Sequence, residues 1–323
     1  MNLNQRFVAT DDNLKLDPEE RKRAEETHNL MGDVLVDAGV AKRTRLQGSF
    51  ARKTMLPPLH DVDKVIELND GLREELDASP IGPHRAMDMI CNAVRPEFPG
   101  ATFEIKKHSL GIALPEEGLD FDAVPAFNDE DGTDWIRIAD THTMGWKPSN
   151  TYSLIKTISE RNLLCAGRFV HQVRMVKRVV FVAGLGEYLP GLHTETFCYA
   201  AITEVLSHPD AIAAALNTSA SMLGTVYSDP TGADPISERL ASYQWMKAQA
   251  TLTLLADRAT QAVELATAGD ERAAALIWAE LLGDVFPSPA DEERDALRRT
   301  HIAPALVASG PATTPTRAWR PSV

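Results

Sequence analysis

An α+β fold is predicted: a mixed sheet flanked by helices in the first half of the chain, followed by a helical domain. Three observations carry this expectation. Residues 60–68, 102–107, 110–114 and 119–124 are short runs with strand character. Helical periodicity interleaves with them at 18–38 and 84–95. From about residue 151 onward the apolar pattern is almost wholly helical. The 323 residues accordingly divide into a core over 1–150 that includes an N-terminal bracing helix, a helical domain over 151–308, and a Pro/Thr-rich tail over 309–323 expected to be disordered.

The helix at 18–38 has Asp17 to cap it, Pro18 in its first turn and Glu20 at the capping-box position. Ala24, Met31, Val34, Leu35 and Ala38 form its apolar stripe, and Gly39 ends it. A short helix opens at Ser49, ahead of the strand at 60–68. The turn "PEEG" at 115–118 joins the strands at 110–114 and 119–124. Residues 127–150, "FNDEDGTDWIRIADTHTMGWKPSN", read as a loop-rich crossing between domains. Helices follow at 150–161, 167–186, 193–207, 209–223, 235–268 and 270–286, with Trp245 and Trp278 inside helical patterns as core residues. No internal repeat is visible.

Hydrophobic residues make up 44% and charged residues 24%, so the chain can bury a core. The formal net charge of −13 argues against holding long nucleic acid by its backbone. Small anionic substrates stay open, because bound metal ions reverse a local field. No apolar run is long enough to span a bilayer, and the first residues lack the charged-then-apolar layout of a signal peptide. Cys91, Cys165 and Cys198 lie far apart without metal-ligand spacing, which suits reduced thiols in a cytoplasmic protein.

The stretch "QGSFARKTMLPPLHDVDKVIEL" at 47–68 carries the chemistry. Side chains alternate along a strand, so Asp61 and Asp63 share a face, opposite Val62, Lys64, Ile66 and Leu68. Two adjacent carboxylates repel each other, and a divalent cation such as Mg²⁺ or Mn²⁺ relieves the repulsion. A second acidic strand, "GLDFDAVPAF", places Asp120 and Asp122 on one face. If the two strands are neighbours, a third carboxylate completes a two-metal site of the kind used in phosphoryl and nucleotidyl transfer. Upstream, Gly48 permits close backbone approach to a ligand, Ser49 adds a hydroxyl, and Arg52 and Lys53 follow within a few residues.

The combination of Gly48-Ser49, Thr54, Asp61-x-Asp63 and Asp122-Ala123-Val124-Pro125-Ala126 resembles the DNA polymerase β-like nucleotidyltransferase superfamily. More narrowly it is similar to the cGAS/DncV-like nucleotidyltransferases (CD-NTases), bacterial relatives of cyclic GMP–AMP synthase and oligoadenylate synthase. The resemblance implies a polymerase β-like core plus a C-terminal helical domain, bilobed, with the active site between the lobes. It implies that Asp61, Asp63 and Asp122 bind two Mg²⁺ ions (Mn²⁺ being an alternative), with Asp120 as competitor for the third position. Gly48, Ser49 and Lys53 would serve the triphosphate of an NTP such as ATP or GTP. In the helix "GRFVHQVRMVKRVVFVAGLG", Phe169, Val173, Val176 and Val180 form the stripe, Arg174 and Arg178 fall outside it, and Lys177 lies at its edge. The family pattern gives Lys177 a phosphate contact. In "LHTETFCYAAI" it gives Thr196 and Phe197 to the nucleotide, with Phe197 stacking on the base and Tyr199 competing for that role.

The implied activity is synthesis of a cyclic di- or trinucleotide second messenger from NTPs, with pyrophosphate released, in bacterial anti-phage (CBASS) signalling. The implied partners are NTPs, a downstream effector reached by the diffusible product, and regulatory proteins, with neither long nucleic acid nor membrane. The alternatives are a linear oligonucleotide synthase, a transferase acting on RNA or protein, and an inactive nucleotide-binding module. Retention of all three aspartates and of Gly48-Ser49 argues against the last.

Overall fold

The computed structural model describes residues 1–59, 61–128 and 134–293. The tail expected to be disordered, 309–323, lies outside the described residues. The sheet half contains β1 (Ala41–Leu46), β2 (Asp61–Leu68), β3 (Thr102–Ile105), β4 (Leu110–Leu114), β5 (Leu119–Asn128), β6 (Ile136–Asp140) and β7 (Gly145–Ser149). Its helices are α2 (Pro18–Asp37), α3 (Gly48–Ala51), α4 (Arg73–Ala78) and α5 (Gly82–Val94), preceded by α1 (Leu3–Asn13). The helical half contains α6 (Thr151–Leu164), α7 (Phe169–Val182), α8 (Gly191–Ala201), α9 (His208–Met222), α10 (Ser242–Thr267) and α11 (Glu271–Leu282).

The sheet is mixed, in the order β1-β2-β5-β4-β3, with β6 and β7 continuing from the far end of β5. β2 and β5 are parallel and every other pair is antiparallel. One sheet face packs under α2 and α5 in a core that includes Met31, Leu35, Val62, Ile66, Ile90 and Phe121. Lys64, pointing into that face, is fully buried and donates from Nζ to the His28 carbonyl at 2.7 Å. Burial pushes its pKa down to about 7.

Two elements differ from expectation. The described residues of the segment 127–150 are not all loop: β5 runs on to Asn128, and β6 and β7 form a hairpin. β7 pairs only with β6, so Pro148 sits on an edge strand where its missing N–H costs nothing. The Gly and Pro of this segment look like loop in sequence for that reason. β1, "AKRTRL", was also not anticipated, because its polar residues leave no apolar alternation.

The first helix, α1, belongs to the helical half. Its Leu3, Phe7 and following Leu14 join the core of α7–α11. Phe7 is wedged edge-on against Trp278 and Phe286 at 5.3 Å each. Asn2 and Gln5 close its N-terminus as a reciprocal capping box. The N-terminal bracing is therefore divided: α1 packs on the helical lobe, while α2, capped by Asp17, packs on the sheet lobe.

Candidate active site

The parallel pairing of β2 and β5 sets Asp61 beside Asp120 and Asp63 beside Asp122. All four side chains emerge on the sheet face opposite the α2/α5 core. Asp61 and Asp120 are exposed, and Asp63 and Asp122 are partly buried. Burial first, then the charges of Asp61 and Asp122, push the Asp63 pKa up to about 6.

Gly48 presses on this cluster. It has φ +67°, and a Cβ there would lie 1.7 Å from Asp63 Oδ2. Only glycine allows the turn to pass so close to the carboxylate. The turn is tied to β2 through Gln47 N–H, which donates to the Asp63 carbonyl at 2.9 Å. Ser49 lies within α3 and is partly buried.

A cavity of about 950 Å³ opens between the lobes. Its sheet side offers Gly48, Arg52, Asp63 and Lys147, and its helical side Leu192 and Arg239. Residues 147–150, on and just after β7, line it as well.

The two basic residues after the glycine-serine turn are placed differently. Lys53 is exposed, with its backbone at φ +60°, and does not line the cavity. Arg52 does. Its guanidinium donates to Glu195 through Nε at 2.7 Å and Nη2 at 3.2 Å. Glu195 is fully buried on α8 and also accepts from Thr54 Oγ1 at 2.7 Å and Lys177 Nζ at 2.6 Å. Burial would raise the Glu195 carboxyl, but the adjacent Arg52 and Lys177 charges outweigh it and hold it well below the usual range. Lys177 thus stands at the contact between lobes, within 3.3 Å of Thr54 Oγ1. Arg174 is outside the apolar stripe, yet it is buried, donating to the Lys53 carbonyl at 3.1 Å and to Asp11 at 3.0 Å.

Thr196 and Phe197 are both buried. Thr196 is 4% exposed and donates back to the Leu192 carbonyl within α8. Phe197 has no exposed surface and packs against Tyr227 at 5.1 Å. Neither lines the cavity: Phe197 packs in the helical core, and Thr196 is buried one turn beyond Leu192. The α8 residue that lines the cavity is Leu192.

Sequence reasoning missed Glu195 and Lys106. An acid inside the apolar helix "GLHTETFCYAA" was an available signal for Glu195, since a buried charge requires partners. Lys106 gave no signal: it follows β3, and folding brings its Nζ to 2.8 Å from Asp122 Oδ1.

The residues suit a hard divalent cation by their donor chemistry, with carboxylate oxygens on adjacent strands and a charge surplus that an ammonium already partly neutralises. Among the described residues no three His, Cys, Asp or Glu side chains converge into a ready-made cage. The Lys106 ammonium occupies one oxygen of the set.

Residues 1–162 match the family model for the Second Messenger Oligonucleotide or Dinucleotide Synthetase domain. No curated protein matches the chain. Among solved structures it resembles Vibrio cholerae DncV cyclic AMP–GMP synthase in complex with a linear intermediate, at TM-score 0.68 and 14% identity, over 88% of this chain and 97% of that one. It also resembles the CD-NTase CdnG of Bradyrhizobium diazoefficiens in complex with GTP, at TM-score 0.68 and 14% identity, over 87% and 98%. A third is CdnC of E. coli MS115-1, solved in complex with HORMA-deltaN, at TM-score 0.65 and 16% identity, over 88% and 98%. At these identities the likeness is one of fold, an α+β nucleotidyltransferase lobe joined to a helical lobe. With half of the chain matched by the family model, the chain belongs to the Second Messenger Oligonucleotide or Dinucleotide Synthetase family.

Proposed function

We propose that the chain is a metal-dependent nucleotidyltransferase that joins NTPs into a cyclic di- or trinucleotide, with release of pyrophosphate. The observation that carries this reading is the in-register pairing of Asp61-x-Asp63 with Asp120-x-Asp122 beside the Gly48 turn, at the edge of an interlobe cavity large enough for a nucleotide.

Asp61, Asp63 and Asp122 would hold Mg²⁺ or Mn²⁺. Bound there, the metal supplies Lewis-acid activation of the attacking hydroxyl and neutralises the leaving phosphates. The chain's own residues do the positioning. The Gly48-Ser49 turn brings its backbone against Asp63. Arg52 carries positive charge to the cavity wall. Lys177 stands behind it, with Glu195 fixing both cations so that Arg52 is held oriented at the cavity wall. Asp63 keeps a raised affinity for a proton until positive charge arrives.

The physiological reading is an anti-phage second-messenger pathway in the cytoplasm, in which the diffusible product reaches a downstream effector. The E. coli relative solved with a HORMA protein supports a regulatory protein partner.

Incubation with α-labelled NTPs and Mg²⁺ tests the reaction. Phosphatase-resistant label and released pyrophosphate are expected, and Asp61→Ala with Asp63→Ala should remove both while leaving the circular dichroism spectrum unchanged. Turnover surviving in that double variant would sink the metal assignment.

A further inference from the structure

The carboxylate face of the sheet is built in rows. Glu104, Gly111, Asp122 and Asp63 stand side by side across β3, β4, β5 and β2, and Thr102, Ala113, Asp120 and Asp61 form the next row. Gly111 leaves a gap in the first row, and the Lys106 stem lies across it. A Cβ at Gly111 would meet Lys106 Cε at 3.0 Å and Nζ at 3.5 Å. The backbone of Lys106 is pinned, its N–H donating to the Ser109 carbonyl at 2.8 Å and its own carbonyl accepting from Thr141 Oγ1 at 3.2 Å. The side chain alone is therefore free to move, and at 43% exposure it can leave for solvent at small desolvation cost. A cavity of about 390 Å³, bounded by Asp61, Lys106, Gly111, Asp120 and Asp122, gives it room.

From this arrangement we infer that Lys106 is a resident cation that holds Asp122 in the metal-free enzyme and must release it before a divalent ion can join Asp122 to Asp61 and Asp63. The inference rests on the metal-site reading above. The ammonium sits on one oxygen of Asp122, and its charge is further attracted by Asp61 and Glu104. One positive charge blunts the repulsion among the carboxylates without drawing them into a cage, and a dication replaces it. Metal binding is then a competition, and the Gly111 gap sets its balance by letting the lysine lie flat on the sheet. The role is one of positioning, since Lys106 acts through Asp122.

Binding of Mn²⁺ to the full chain without nucleotide, followed by electron paramagnetic resonance, tests this directly. Lys106→Met should bind Mn²⁺ roughly three- to tenfold more tightly than wild type, the range expected when a partly exposed ion pair no longer competes and a like charge is removed. Gly111→Ala, whose new methyl pushes the lysine stem off the sheet, should shift affinity in the same direction. Lys106→Arg, which keeps a competing cation, should not. Equal or weaker Mn²⁺ binding by Lys106→Met, with wild type binding saturably, overturns the proposal alone. Mn²⁺ binding that survives Asp61→Ala with Asp63→Ala, or no saturable binding by wild type and Lys106→Met alike, overturns the metal reading and the proposal with it.

Discussion

Replacing Glu195 with glutamine keeps the side-chain volume and removes one charge from the contact between lobes. In the native protein this fully buried carboxylate accepts from Arg52, Thr54 and Lys177. Their side chains are themselves nearly enclosed, Arg52 at 8% and Lys177 at 11% exposure. The variant leaves two cations facing each other with no counter-charge. Breaking a buried pair by removing one partner costs about 3–5 kcal/mol. The amide oxygen can still accept one hydrogen bond, which places the expected loss near the lower end, at about 3 kcal/mol. A bound triphosphate would bring negative charge to the same cations, so the variant should gain more stability from added ATP than wild type does. The sign with pH follows from the depressed carboxyl. Its stabilising contribution is present above the unfolded value of about 4.3 and is lost as pH falls below it, so the acid side of the stability profile should be shallower in Glu195→Gln. Urea unfolding at pH 7.5 and pH 4, with and without ATP and Mg²⁺, measures all three effects. A variant within about 1 kcal/mol of wild type, or one that gains no more from ATP, would refute the argument that Glu195 holds the cationic pair.

Two further outcomes are expected. Asp63 has its pKa raised to about 6 from 3.8, so its contribution favours folding below pH 4 and is lost as pH rises through 6. Without divalent metal the protein should lose about 3 kcal/mol at this site between those limits, at about 1.4 kcal/mol per pKa unit. Asp63→Asn should flatten that slope in urea titrations with chelator present, and an unchanged slope would count against the carboxylate crowding. Arg52→Met should raise the KM for NTP by more than about tenfold, by losing a charged contact, while Lys53→Met stays near wild type in steady-state assays. The reverse pattern would restore Lys53 as the residue that meets the phosphates.

The helices with strong periodicity were legible: α2, α5, α6, α7, α9 and α11 appear close to their expected bounds, while α8 ends six residues early at Ala201 and α10 starts seven residues late at Ser242. So were β2, β4 and the start of β5, whose alternating pattern put the aspartates on one face. α1 was missed although its Asn2/Gln5 cap and its Leu3, Phe7 and Leu14 spacing carry a helical signature. β1 and the β6–β7 hairpin were missed because edge strands tolerate polar residues, Gly and Pro.

What the sequence by itself determined is the arrangement of the carboxylates. Side-chain alternation along β2 forces Asp61 and Asp63 to one side, and a glycine at position 48 permits a close approach. These are local constraints, settled within a few residues. Folding decided which cations meet those groups. Arg52 rather than Lys53 lines the cavity, and Thr54 beyond it is buried against Glu195. Glu195 gathers Arg52 and Lys177 from opposite lobes across 143 and 18 residues of chain. Phe197 lies in the core because α8 turns that face inward. Lys106 reaches Asp122 because Gly111 leaves its path open on the strand between them. Each of these depends on the packing of elements distant in sequence, and charge pairing of that kind has no periodicity from which it could be read.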